Sequence, residues 1–217
     1  MAGNHSGRKY KVIQRVTLYL PTNIVELIMS KQITVYTLSE LAKNVRERVI
    51  TNFRYTDSGL QNTIQNALQD VVDCEKEHLE SVGFSDVAIS WQLGYVQSDR
   101  VTIKARMYQD ELLNFFGGES LLDNYDDLRE VEFIELEVNN YRQISWDVSP
   151  ESLYDENGEL AVNVKHFKHV LKEFLKDAAV SLYDSLSAED EYLTSADYIA
   201  NHIQDNECLF TENGIAV

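Results

Sequence analysis

Cys74 and His78 stand four residues apart in a segment whose apolar residues recur at helical spacing. That spacing projects both side chains from one helix face, an arrangement that lets two ligands share a metal ion. No second pair follows at a matching distance, so no metal or other cofactor is implied. His166 and His169, at i and i+3, likewise have no partner motif. Carboxylate pairs such as Asp126 with Glu130 have the chemistry of general acid–base catalysis, but a chain with 36 Asp and Glu produces them by composition alone. A nucleophile elbow, a P-loop, a dinucleotide fingerprint and an HExxH motif are all absent from the sequence. The expectation is a protein that is not an enzyme.

The carboxylates read better as a surface. In REVEFIELEVNN (129–140), Val131 and Phe133 alternate with Glu130 and Glu132, and the phase then flips so that Leu136 and Val138 alternate with Glu135 and Glu137. A β-bulge at Phe133–Ile134 would return all four glutamates to one face. Alternate strand residues lie about 6.6 Å apart, a spacing of the same order as successive backbone phosphates. Asp123, Asp126 and Asp127 lie just upstream and extend the row, and Glu189, Asp190 and Glu191 form a second cluster. These ten residues are the candidate partner-binding set.

The charge distribution suggests who the partner is. The last 110 residues carry 25 Asp and Glu against 6 Lys and Arg, the first 50 carry 3 against 8, and the whole chain has a net charge of −17. Such a balance repels nucleic-acid phosphates and anionic membranes, both of which attract Lys and Arg clusters. The expected partner is a basic protein surface, such as that of a host nucleic-acid-binding protein or complex. Direct binding of nucleic acid or membrane is disfavoured, and solubility alone is the competing explanation. No run of 18 apolar residues and no leader-like start occurs, and Cys74 and Cys208 form no disulfide framework, so a cytoplasmic protein with free thiols is expected.

At 217 residues and 44% hydrophobic content the chain can fill one full core. The expected organisation is a disordered tail over 1–9 and a single α+β domain over 10–217, with one mixed or antiparallel sheet packed against long helices at 60–82 and 164–186. KVIQRVTLYL before Pro21 reads as a strand, and Thr22 or Asn23 then caps a short helix through Ser30. Thr37 followed by Glu40 makes a capping box for a helix carrying Leu38, Leu41, Val45 and Val49. Arg46 and Arg48 lie about 200° apart on it and form no common basic face. Strands are expected at 86–93 and 100–107, and short helices broken at Gly117 and Gly118. A hairpin over 130–148 needs a three- or five-residue loop to keep its apolar faces matched. A helix starting at Thr194 or Ser195 and a terminal strand and turn complete the chain.

Three phrases carry a resemblance. VYTLSEL (35–41) resembles the YTFDEL or YTYDEL opening of a family of small acidic phage and prophage proteins, often described as antitoxins of toxin–antitoxin stability systems. EDEYLTSADYIANHIQDNECLFTENG (189–214) resembles that family's EYEYLTSDE and EYEFTEDG ending. GYVQSD (94–99) is similar to its GFWSQGD, one residue shorter and with Ser98 and Arg100 where the family has glycines. The resemblance implies a phage gene and an α+β fold. Together with the charge it leads to the expectation of a phage-encoded inhibitor of a bacterial nucleic-acid-handling defence protein, such as a CRISPR effector or restriction enzyme, acting by mimicry or by occluding a basic groove. An antitoxin-like or accessory binding protein for a basic phage or host protein is the alternative.

Overall fold

The computed structural model describes residues 8–20, 23–93, 100–117, 130–139, 143–149 and 162–217. In chain order the elements are β1 (Arg8–Leu20), β2 (Asn23–Val35), α1 (Lys43–Thr56), α2 (Ser58–Ser81), β3 (Ser85–Gln92), β4 (Arg100–Tyr108), α3 (Gln109–Phe116), β5 (Phe133–Asn139), β6 (Gln143–Ser149), α4 (Val162–Leu193) and α5 (Ala196–Asp205). They form two compact units. A terminal unit combines Met1–Ile64 with Tyr192–Val217, and a central unit comprises Gln65–Glu191.

In the central unit, β3-β4-β5-β6 make one four-stranded antiparallel sheet, the α+β fold that the pattern of strands and helices implied. Alternation closes one sheet face to solvent. Val101, Ile103, Ala105 and Met107 of β4 are buried, as are Ile134, Leu136 and Val138 of β5. The apolar stripe of α4 is closed in the same unit, with Val164, Phe167, Leu171, Leu175, Ala179, Leu182 and Leu186 at three- and four-residue spacing. Aromatic rings join the elements. Phe174 on α4 stacks on Phe84, ring centroids 5.7 Å apart, and Phe116 on α3 meets Phe167 edge-on at 4.5 Å.

The long helix α2 ends as its sequence dictates. Gly83 takes φ +101°, Phe84 N–H donates to Leu79 O at 3.0 Å, and Gly83 N–H donates to Glu80 O at 3.1 Å. These are the two bonds of a Schellman cap, and its usual apolar contact is available because Leu79 and Phe84 are both buried.

The β5–β6 register leaves three residues between paired Asn139 and Gln143, as the matching of apolar faces required. The bulge expected at Phe133–Ile134 is not there: β5 pairs without interruption from Phe133 onward. The phase change is absorbed just before the strand, where Val131 is buried and Glu132 donates its N–H to Ser149 O at 2.8 Å, although Ser149 is already the register partner of Phe133. Two residues thus meet one at the strand entrance, which costs no ladder bond inside the sheet. A bulge does occur in β3, where the register jumps from Ser85↔Arg106 to Ala88↔Lys104 and Asp86 sits at φ +54°.

The terminal unit departs further from expectation. Residues 23–30 are not a helix but the start of β2, which pairs with β1 from Arg8↔Val35 to Leu20↔Asn23. An eight-residue helix leaves most of its end groups unbonded, whereas the ladder satisfies the backbone along its length, and β-branched Ile24, Val25 and Ile28 favour it. Arg8 and Lys9, assigned to the tail, belong to β1, and the rest of the tail lies outside the described residues. The capping box also forms differently. Thr37 N–H donates to Glu40 Oε2 at 2.8 Å, but it opens a single 3-10 turn over Leu38–Glu40, and α1 begins only at Lys43. Leu38 and Leu41 are both buried by this break. As expected, Ser195 caps α5 by accepting from Tyr198 N–H at 3.2 Å.

Phe210 exchanges both backbone bonds with Tyr36 (2.8 and 2.9 Å), and it also bridges Ala216. The closing turn then presses onto α1. Gly214 has φ +79°, a Cβ there would lie 2.6 Å from Val49 Cγ2, and Arg48 Nη2 donates to Asn213 O at 2.8 Å.

Candidate functional site

Outward-facing residues of β4 and β5 follow from the same alternation that buries their neighbours. Lys104 and Arg106 on β4 stand opposite Glu137 and Glu135 on β5. Glu135 is therefore held between two cations, with Lys104 Nζ at 2.9 Å and Arg106 Nε at 2.7 Å. The Lys104 hydrogen bond, followed by that of Arg106, holds the Glu135 carboxyl below the usual carboxylate range. Arg106 also meets Asp86 Oδ2 at 3.2 Å and lies 5.1 Å from the centre of the Phe133 ring. The β3 bulge explains the Asp86 contact, because the extra residue and its left-handed backbone turn that carboxylate toward Arg106.

The row of four glutamates is thus not a bare ladder of charge. Glu130 and Glu132 are exposed and precede the strand, and Ser149 Oγ donates to Glu132 Oε2 at 2.9 Å. Glu135 and Glu137, with Asp147 and Ser145 of β6, line a hollow of about 180 Å³. One Asp147 oxygen there accepts the Val148 N–H at 2.9 Å. Glu189, Asp190 and Glu191 sit on the last turns of α4. Consecutive helical positions are 100° apart, so these three spread around the helix instead of sharing a face. Asp123, Asp126 and Asp127 lie outside the described residues.

Sequence reasoning followed the buried side of α2 and missed the opposite one. Asp70, Asp73, Glu77 and Glu80 are all exposed, and their 3-4-3 spacing places them within an arc of about 80° over about 15 Å of helix. Lys76, on the same helix, reaches Glu80 only at 3.8 Å. The signal was present in the periodicity of the charges themselves. Partition of charge sharpens it further. The central unit holds 28 Asp and Glu against 10 Lys and Arg, net −18, and the terminal unit 8 against 9, net +1.

A second feature lies within the terminal unit, a cleft of about 580 Å³. Ala196, Ala200 and Gln204 line it from one face of α5, Arg46 and Ile50 from α1, and residues 37–39 from the 3-10 turn. Two of the three phrases that carry the sequence resemblance, 35–41 and 189–214, therefore contribute to its wall. The Cys208 thiol also lines it, and burial, with the Asp57 charge second, pushes that thiol up from its ordinary pKa. Cys74 and His78 are both exposed on α2, and among the described residues no group of three or more His, Cys, Asp or Glu side chains is placed to hold a metal. No described helix is long and apolar enough to cross a membrane. Comparison with known protein families, curated proteins and solved structures finds no match to this chain.

Proposed function

We propose that the protein is a binding protein that engages a basic surface through its central unit, and that the surface is the phosphate-binding groove of a bacterial nucleic-acid-handling defence protein. The observation that carries this reading is the charge partition. All of the net negative charge belongs to one compact unit, whereas carboxylates placed for solubility alone have no reason to segregate. Within that unit the geometry favours the exposed stripe of α2 over β5. Lys104 and Arg106 already neutralise Glu135, while Asp70, Asp73 and Glu77 face solvent along one line. A phage origin and action in the cytoplasm of the host cell rest on the sequence resemblance and on the reading of the two cysteines as free thiols. An antitoxin-like protein that wraps a basic partner without competing with nucleic acid has the same charge signature, and competition separates the two.

The test uses tagged full-length chain and a variant with Asp70, Asp73, Glu77 and Glu80 changed to Lys. Proteins retained from a bacterial lysate by the wild type should be lost by the variant and released by added duplex DNA or RNA. Retention should also weaken with salt, because steering between opposite charges is screened over about 8 Å at physiological ionic strength. Equal retention by both chains overturns the assignment of α2. Retention that nucleic acid cannot displace favours the antitoxin-like reading.

A further inference from the structure

The cleft of the terminal unit has a charge pattern that its own residues leave unresolved. Asp197 lines it in the first turn of α5 and Glu207 just beyond the helix end. Eight residues of helical rise, from Asp197 to the helix end at Asp205, separate the two ends of the cleft by about 12 Å. Arg46 lines it from α1, half-buried, yet its guanidinium makes no hydrogen bond or ion pair among the described residues. Neither carboxylate is ion-paired among them either. The floor is apolar, from Leu38, Ile50, Ala200 and Leu209. The small side chains on this face of α5 leave the space open where larger ones would fill it against α1. A cleft of this volume is within the range of ligand sites.

We propose that this groove takes an extended peptide segment with basic side chains at two positions four residues apart and an apolar side chain midway between them. Extended chain rises about 3.3 Å per residue, so positions i and i+4 lie about 13 Å apart and, with i+2, project to the same side. The two basic groups then reach Asp197 and Glu207, and the central apolar side chain covers the floor. The Arg46 guanidinium is left to donate to backbone carbonyls of the segment, the one acceptor that every peptide supplies. An acidic segment would place like charges at both ends of the groove. The proposal names a chain segment that a basic partner would present, but it rests on the cleft and not on the acidic face of the central unit.

Full-length protein is titrated with acetyl-Lys-Ser-Leu-Ser-Lys-amide, with the analogue carrying Gln at both ends, and with the analogue carrying Glu. Binding is followed by calorimetry and by the rate at which iodoacetamide alkylates Cys208 in the groove wall, with exposed Cys74 as the internal reference. The Lys peptide should slow alkylation of Cys208 but not of Cys74. Changing Asp197→Asn and Glu207→Gln together should weaken it about tenfold, and Ala200→Trp should abolish binding by filling the groove, with melting curves confirming that each variant is folded. Binding of the Gln peptide as tight as that of the Lys peptide, or binding without protection of Cys208, overturns the proposal. Preference for the Glu peptide overturns it as well and assigns the groove to an anionic ligand anchored on Arg46. Charge reversal on α2 should leave peptide affinity unchanged, so failure here and failure of the proposed function are told apart.

Discussion

Replacing Gly214 by Ala separates two costs that usually arrive together. At φ +79° an L side chain is strained by about 1–2 kcal/mol. The new methyl also falls 2.6 Å from Val49 Cγ2 and 3.0 Å from Val45 Cγ1, an overpacking that typically costs about 1–3 kcal/mol. The sum is about 2–5 kcal/mol. Gly117→Ala supplies the reference, because Gly117 is also at positive φ (+114°) but among the described residues nothing lies within 4 Å of its would-be Cβ; only the backbone cost of about 1–2 kcal/mol should appear. Urea unfolding followed by circular dichroism measures both. Tryptophan fluorescence alone would be blind to the terminal unit, since Trp91 and Trp146 both belong to the central one. Combining Gly214→Ala with Val49→Ala should recover part of the loss, a coupling of opposite sign to simple addition. If Gly214→Ala costs no more than Gly117→Ala, and Val49→Ala does not relieve it, the closing turn is not seated on α1 and the packing described here is wrong.

Three further outcomes are expected. Glu207 occupies the left-handed position of a Schellman cap, with φ +52°, Cys208 N–H donating to Ile203 O and Glu207 N–H to Gln204 O; Glu207→Gly should therefore raise stability by about 1 kcal/mol in the same urea titration. The Glu135 carboxyl, lowered by Lys104 and then Arg106, contributes stability that is complete above its unfolded pKa and is lost as pH falls through its lower folded value. Glu135→Gln should flatten that part of the acid limb of a stability–pH curve, and an unchanged limb would deny the carboxylate its two partners. Burial, then the charges of Lys172 and Lys165, lower the Lys168 ammonium to about 8. The folded state binds fewer protons than the unfolded one above that pH, so stability attributable to Lys168 should rise from about pH 8 toward its unfolded pKa. Lys168→Gln should remove this rise and should not destabilise the protein at pH 7.

What the sequence made legible was local. Alternation in β4 and β5, the three-four spacing of α4 and the glycine closing α2 each specify their element without reference to a distant partner. Residues 23–30 failed for the opposite reason. Ile24, Leu27 and Ile28 fit a helical face and Asn23 a cap, and only the 13-residue partner strand β1 decides for a ladder. The acidic row failed in the same way. Its glutamates were readable in β5, but the cations that neutralise Glu135 belong to β4, some thirty residues earlier, and become neighbours only through the register Arg106↔Glu135. The cleft needs three separate segments at once and has no sequence signature. By contrast the α2 stripe was available to the same periodicity that found its buried side.

The pairing of Tyr36 with Phe210 sets an order of events during synthesis. The central unit, Gln65–Glu191, is continuous in sequence, so a ribosome delivers all of it before Tyr192–Val217 exist. The terminal unit is split, and its early half lacks the packing of α5 on α1 and the Tyr36–Phe210 pairing until those late residues emerge. A nascent chain stalled near residue 191 would therefore present an assembled acidic unit together with an incomplete terminal unit, the kind of exposed apolar surface that chaperones recognise. Translation must run past Phe210 before the terminal unit can close.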